Sequence, residues 1–147
     1  MKRIVVAVDR SEASLRAVDA AADLAGKYDA DLVVVMVVRD IAESDPGADA
    51  YARMEHIQES AEALAIDSVR SGLHEICDRA AAQGAPRVAV DVLTGDAAEE
   101  LLAYARDGAA DLLVMGSRGH GRLVGLLLGS VVQKLVGLAP CPVLVVH

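Results

Sequence analysis

The chain has 147 residues, of which 54% are hydrophobic, and a formal net charge of −8 from 14 basic and 22 acidic side chains. This length suits one domain, residues 1–147, because two halves would each bury too little apolar surface. The negative charge disfavours nucleic acid as a partner, since the phosphate backbone that dominates such binding is itself negative. Three tyrosines without phenylalanine or tryptophan also leave few rings on which bases could stack.

The sequence predicts a cytoplasmic protein and not a membrane protein. The apolar run at residues 4–8 ends at Asp9 and is too short for the core of a signal peptide. No uncharged apolar segment reaches the length of about 18 residues that a membrane span requires. Two cysteines, Cys77 and Cys141, are too few for a disulfide framework, so we expect both thiols to be reduced and buried.

Five short apolar runs, most of them rich in Val or Ile, predict five strands. Most of these runs show little polar alternation, as strands buried on both faces should. The third run is the weakest, because Asp91 interrupts it. The predicted strands occupy residues 4–8, 32–38, 88–93, 112–115 and 143–146.

Ala-rich segments with helical spacing separate these strands. The first helix is expected to start at Ser11 or Glu12 and to end near Gly26. Residues from about 50 to 82 also have a helical pattern, with Gly72 as a point where the helix kinks or breaks. Strands that alternate with helices predict a doubly wound α/β fold, a parallel sheet with helices on both faces. Ligands bind such sheets where the strand order reverses, but the residues alone do not give that order.

The loop after the fourth predicted strand is the best candidate for a binding site. From Met115 to Ser130 the sequence is MGSRGHGRLVGLLLGS. Glycines let backbone N–H groups approach an anion, and the free amides of a helix that starts near Gly129 would suit phosphate. Glycine richness alone leaves two interpretations open, a phosphate site or a tight structural turn. The dinucleotide fingerprint, the P-loop and the nucleophile elbow are all missing.

Four positions of this loop, Gly116, Gly119, Gly129 and Ser130, fit the pattern G-x2-G-x9-G-[S/T], which resembles the ATP-binding signature of the universal stress protein family. The segments VAVDRSEAS at residues 6–14 and APCPVLVV at residues 139–146 resemble the first and last strands of that family. The resemblance implies a five-stranded, Rossmann-like parallel sheet in the order 3-2-1-4-5. It further implies ATP, together with Mg²⁺, bound across the loops after strands one and four.

The resemblance also assigns roles to individual residues. Asp9 would face the ribose or, through Mg²⁺, the phosphates, and Val37 would line the adenine pocket. Met115 and Gly116 would close on the nucleoside. The residues expected around the phosphates are Arg118, Gly119, Gly129, Ser130 and Val131. Each side chain also has a plain structural interpretation: a turn for Asp9, core packing for Val37 and Met115, a solvated charge for Arg118 and a helix cap for Ser130.

Two residues depart from the family pattern, and two others form a weak metal candidate. Arg10 stands where the family often has Gly, and Val132 lacks a hydroxyl that some members carry.

His74 and Cys77 lie three residues apart on a predicted helix, as half a zinc site would, but no second pair completes four ligands. His120, within the glycine loop, is expected to be a mobile surface side chain.

Three functions remain open at this point. The resemblance implies an ATP-binding regulator of stress response that acts on a protein client, such as a transporter subunit. It also implies a homodimer, or a larger oligomer, through the last strand, an apolar edge suited to pairing with its own copy. The second hypothesis is a slow ATP hydrolase or nucleotidyl transferase, at most a weak ATPase, because no clear base accompanies Asp9. The third is a non-catalytic structural dimer whose glycine loop only makes a turn.

Overall fold

Strands and helices alternate along the described part of the chain, as predicted. The computed structural model describes residues 1–38, 69, 72–117 and 128–147. The strands are β1 (Arg3–Ala7), β2 (Asp31–Val38), β3 (Arg87–Thr94), β4 (Leu112–Gly116) and β5 (Val143–Val146). The helices are α1 (Glu12–Tyr28), α2 (helical residues 72–82), α3 (Ala97–Asp107) and α4 (Ser130–Leu138). Each predicted strand is confirmed to within one residue at either end.

The strands form one parallel sheet in the order β3-β2-β1-β4-β5, which confirms the predicted doubly wound fold and the order that the family resemblance implied. β1 lies at the centre, with Val5 opposite Val33 of β2 on one side and Leu113 of β4 on the other. The chain builds outward from β1 through β2 and β3, and then in the opposite direction through β4 and β5. The order therefore reverses between β1 and β4, so a ligand crevice is expected at the carboxyl ends of these two strands.

Helices cover both faces of the sheet and create two apolar layers. The α1/α2 layer and the α3/α4 layer take alternate residues of each central strand, because successive side chains point to opposite faces. This is why the strand sequences are continuously apolar rather than alternating. Buried strand residues of the α1/α2 layer include Ile4, Val6, Leu32, Val34, Leu112 and Val114. Those of the α3/α4 layer include Val5, Val33, Val35, Leu113 and Met115.

The start and end of α1 follow from local chemistry. Ser11 is the N-cap, as predicted, and its Oγ accepts a hydrogen bond from the Ser14 N–H at 3.2 Å. Gly26 lies in the last turn, where a Cβ atom would stand 2.7 Å from the Gly84 carbonyl oxygen. Gly26 therefore permits close packing, whereas Asp29, with φ of 50°, ends the helix in the left-handed conformation.

The weakest predicted strand, β3, is confirmed, and its interrupting charge has partners. The Tyr104 hydroxyl of α3 donates a hydrogen bond to the Asp91 carboxylate, and Arg3 Nη2 donates to the same hydroxyl at 3.3 Å. Burial, followed by the bond to Asp91, raises the pKa of Tyr104. Asp91 is thus tolerated under α3 because a phenol and a guanidinium accompany it.

Two other predictions are met in part. The segment from about residue 50 to 82 is helical over residues 72–82, while its earlier residues, except 69, lie outside the described chain, as does any break before Gly72. Cys77 and Cys141 are free thiols but only half-buried, because each lies at the margin of an apolar layer. Burial raises the pKa of both thiols.

Across residues 1–38, 69, 72–117 and 128–147, no helix is long and apolar enough to cross a membrane.

Candidate functional site

Backbone hydrogen bonds hold the ends of β1 and β4 and the start of α4 at the carboxyl edge of the sheet. The Val8 N–H, just beyond β1, donates to the Val35 carbonyl at 2.9 Å. The Ser117 N–H, just beyond β4, donates to the Val146 carbonyl at 2.7 Å, and the Ser117 carbonyl accepts from the Gly129 N–H at 3.0 Å. These bonds fix the start of α4 beside the end of β4. The start of α4 therefore lies at the carboxyl end of β4, one of the two strands between which the strand order reverses.

Asp9 follows β1 and forms a turn with its own backbone. Its Oδ1 accepts a hydrogen bond from the Ser11 N–H at 3.0 Å, so the predicted turn is present. The side chain is half-buried. A carboxylate accepts several hydrogen bonds, so this turn orients the Asp9 carboxylate without excluding a ligand.

Val37 and Met115 point into the α3/α4 layer. Met115 is only 5% exposed, so its side chain is core, and a ligand would meet its backbone. Val37 is half-buried near the end of β2 and packs at the margin of the same layer. Of the two, Val37 has the more accessible side chain for contact with a base.

Gly116 has a structural reason to be glycine. A Cβ atom there would stand 2.7 Å from the Ala13 carbonyl carbon and 2.8 Å from the Ser14 nitrogen, which is closer than real side chains allow. The missing side chain lets the end of β4 pack directly on the first turn of α1. Close packing of β4 on α1 is therefore a sufficient reason for glycine at position 116.

Gly129 differs from Gly116, because the described residues do not require a glycine there. Its φ of −67° and ψ of 157° suit any residue, and a Cβ atom would make an ordinary contact of 3.8 Å with the Ser117 carbonyl oxygen. Gly129 is the N-cap of α4, and no side-chain hydrogen bond from the described chain caps this helix, whereas Ser11 caps α1 and Asp96 caps α3. The Gly129 N–H is bound to Ser117, so among the described residues it is the first-turn amides after Gly129 that no side chain caps and that an anion could approach.

The remaining predicted phosphate residues fall into two groups. Ser130 is exposed and Val131 is half-buried in the first turn of α4, directly after the open N-cap. Arg118 and Gly119 lie outside the described residues, as does His120. The structure therefore places three of the four signature positions, Gly116, Gly129 and Ser130, and leaves the second glycine unplaced.

Arg10, one of the two departures, has an unusual backbone. Its φ of 65° lies in the left-handed region, which suits glycine and costs other residues about 1–2 kcal/mol. The Arg10 guanidinium lies against Gly72 of α2, where a Cβ atom would stand 3.2 Å from the Arg10 Cζ. Gly72 therefore makes room for this side chain.

Ser117 is a site residue that sequence reasoning missed. It is 4% exposed, and its two backbone groups link β4 to β5 and to α4. Its position directly after Gly116 was the available signal, since a residue that ends a central strand borders the ligand crevice. His74 and Cys77 lie on α2, and no group of three or more potential metal ligands occurs within the described ranges.

Comparisons with known proteins identify the family of the chain. The sequence profile of the universal stress protein family matches residues 1–147. Universal stress protein Rv1636 of Mycobacterium tuberculosis is 34% identical over 146 residues, which cover 99% of this chain and 96% of the relative.

Solved structures are similar over the same length. Universal stress protein UspA from Lactobacillus plantarum superposes with a TM-score of 0.76 at 27% identity, covering 99% of this chain and 97% of its own. A universal stress protein solved in complex with cAMP gives a TM-score of 0.72 at 29% identity, with coverages of 99% and 96%.

Proposed function

The chain belongs to the universal stress protein family, and from that premise we propose that it binds ATP at the carboxyl edge of its sheet and thereby regulates a partner protein in a stress response. The observation that carries this proposal is the start of α4. Gly129 presents an N-cap without a described side-chain cap at the carboxyl end of β4, where a Cβ atom would make only an ordinary contact, 3.8 Å from the Ser117 carbonyl oxygen, among the described residues.

The start of α4 suits a phosphate chain. The first-turn amides of a helix have no partner within the helix, and its dipole is positive at this end. These amides include those of Ser130 and Val131, to which the exposed Ser130 hydroxyl adds a further donor. A similar structure holds cAMP, an adenine nucleotide, which supports a nucleotide in a protein of this fold. Arg118 and Gly119 belong to the same proposed phosphate site.

Asp9 suits the Mg²⁺ that accompanies ATP. Mg²⁺ is usually held by one or two carboxylates together with substrate phosphates and water, not by a cage of protein ligands. The turn to the Ser11 N–H orients the Asp9 carboxylate beyond β1. We therefore assign Asp9 to the ribose or to the metal, and Val37, Met115 and Gly116 to the nucleoside.

Regulation is favoured over catalysis. Phosphoryl transfer needs a group that orients the attacking nucleophile in addition to a metal ligand. Asp9 already serves its own turn and the proposed metal, which makes it a poor choice for a second task. Any ATPase activity would accordingly be weak, and an Asp9→Asn variant that keeps ATP binding but loses turnover would instead support an enzyme.

The proposed site is tested by the nucleotide content of the purified protein. We expect stoichiometric ATP when the protein is gel-filtered and denatured and the released molecule is identified by chromatography and mass spectrometry. Gly129→Val should lose it, because the new side chain blocks the α4 amides while the described neighbours leave room for it. Gly137→Val, at an open position late in α4, is the matched control and should retain ATP.

The result also separates the competing ligands and functions. Release of cAMP instead of ATP would keep the site but change the ligand. Absence of nucleotide, together with no binding of added Mg-ATP, would contradict the proposal and favour the structural dimer.

A further inference from the structure

Arg10 carries backbone strain at the edge of the proposed nucleotide site. Its φ of 65° is one of three positive φ values among the described non-glycine residues, and the other two, Asp29 and Ala109, follow helix ends at the opposite edge. Arg10 instead lies between Asp9 and the N-cap Ser11, beside the reversal of strand order. Strain of this kind persists where the surrounding structure or a function requires it.

Within the described structure, no polar contact of the Arg10 side chain offsets this strain. The residue is exposed, and its guanidinium makes no hydrogen bond or ion pair to a residue of the described ranges. By contrast, Arg79 is bound through two nitrogens to Asp19, and Arg87 is bound to Asp29 and Asp31. Among the described residues, therefore, no carboxylate or carbonyl takes up the planar set of donors that Arg10 carries.

The position of this guanidinium is nevertheless defined. It lies over Gly72, where the described run of α2 begins. The Arg10 side chain therefore extends from the loop after β1 to α2 along the carboxyl edge. In a chain with a net charge of −8, a cation carried by the loop after β1 favours an anionic ligand over a neutral one at that edge of the sheet. A guanidinium also matches phosphate oxygens in geometry, because it can bind two of them at once.

From these observations we infer that Arg10 is a phosphate-binding residue of the nucleotide site, which makes the site selective for a nucleoside with a phosphate chain over the bare nucleoside. This inference rests on the proposed function. It assigns a role to a position that departs from the family pattern: the residue accepts a left-handed backbone in order to place a cation there.

The test compares ATP, AMP and adenosine binding by calorimetry in wild-type protein, Arg10→Gly and Arg10→Lys. Arg10→Gly should weaken ATP binding about tenfold or more, the loss expected for a charge-assisted hydrogen bond, and leave adenosine binding unchanged. Arg10→Lys should retain part of the ATP affinity, because it keeps the charge but not the two-pronged geometry. Arg106→Gln changes the net charge equally at the far end of α3 and should leave all three affinities unchanged.

Thermal unfolding distinguishes a ligand contact from a structural role. Because glycine is unstrained at a φ of 65°, nucleotide-free Arg10→Gly should unfold at the same or a higher temperature than the nucleotide-free wild type. If Arg10→Gly lost ATP and adenosine affinity by the same factor, or lost neither, the inference would be overturned. If the wild-type protein bound no adenosine nucleotide, both the proposed function and this inference would be overturned.

Discussion

At the scale of single residues, the two placed signature glycines have different tasks. Gly116 is required by the fold, since a side chain there would collide with the backbone of Ala13 and Ser14. Gly129 has no such neighbour among the described residues. A pattern of glycines can therefore combine one position set by packing with another that is open to a ligand.

The close packing at Gly116 and the open position at Gly137 in α4 predict opposite results for two similar substitutions. Gly116→Ala should lower the free energy of unfolding by about 2 kcal/mol or more, because β4 and α1 must move apart to accept the methyl group. Gly137→Ala should raise it by about 0.5–1 kcal/mol, since the position is open and alanine is the better helix former. Urea denaturation of both variants measures the two changes, and a neutral Gly116→Ala would contradict the close packing.

Among the elements, α1 and α2 are joined by a charged pair as well as by apolar contacts. Two Arg79 nitrogens each donate to the Asp19 carboxylate at 2.6 Å. The hydrogen bond from Arg79 holds the pKa of Asp19 below its ordinary value, more than burial raises it. The pair joins α2 to α1, so it stabilises the helix layer to which Gly72 belongs.

The lowered pKa gives the contribution of Asp19 a definite pH dependence. Its stabilisation is fully present above the unfolded-state pKa of about 3.9 and is lost as the pH falls through the lower folded-state pKa. Asp19→Asn should therefore cost about 1 kcal/mol at neutral pH, and the difference from wild type should shrink in acid. Urea denaturation at pH 7 and at about pH 2.5 measures both values.

A matched substitution separates this pair from ordinary surface charge. Asp23→Asn removes an exposed pair with Lys27 within α1, and it should change stability by less than Asp19→Asn does. Two results would argue against the Asp19–Arg79 link: a stability difference between Asp19→Asn and wild type that widens in acid, or an equal effect of the two substitutions.

The strands and the start of α1 were predictable because their signals are local. Continuous Val-rich runs indicate strands buried on both faces, and Ser11 has a side chain that favours a helix start. The order of the strands needed the family resemblance, since an apolar run does not encode its neighbours. The same limit applies to the site, where glycine spacing located α4 but the contact between Arg10 and Gly72 joins distant parts of the chain.

For the whole molecule, β5 is an edge of the sheet, and we propose that it pairs with its own copy in a homodimer. The exposed side chains of Val136 and Leu138, on the neighbouring α4, would extend the apolar contact. Dimerisation through this edge would place a boundary between subunits beside α4. Nucleotide occupancy at the start of α4 could then change the surface offered to a client, a transporter subunit among the candidates, as far as ATP favours one arrangement over the other.

The two sides of β5 allow a selective test of this dimer. The carbonyls of Pro142 and Val146 accept hydrogen bonds from β4, so by alternation the N–H of Val145 points away from the sheet. Val145→Pro removes an outward donor, which an edge strand tolerates, and should leave a folded monomer in light scattering after gel filtration. Val145→Thr keeps the donor and should remain dimeric. Leu144→Pro removes an N–H that points toward β4, so it should destabilise the sheet itself. A wild-type monomer, or a Val145→Pro dimer as tight as the wild type, would exclude pairing through this strand.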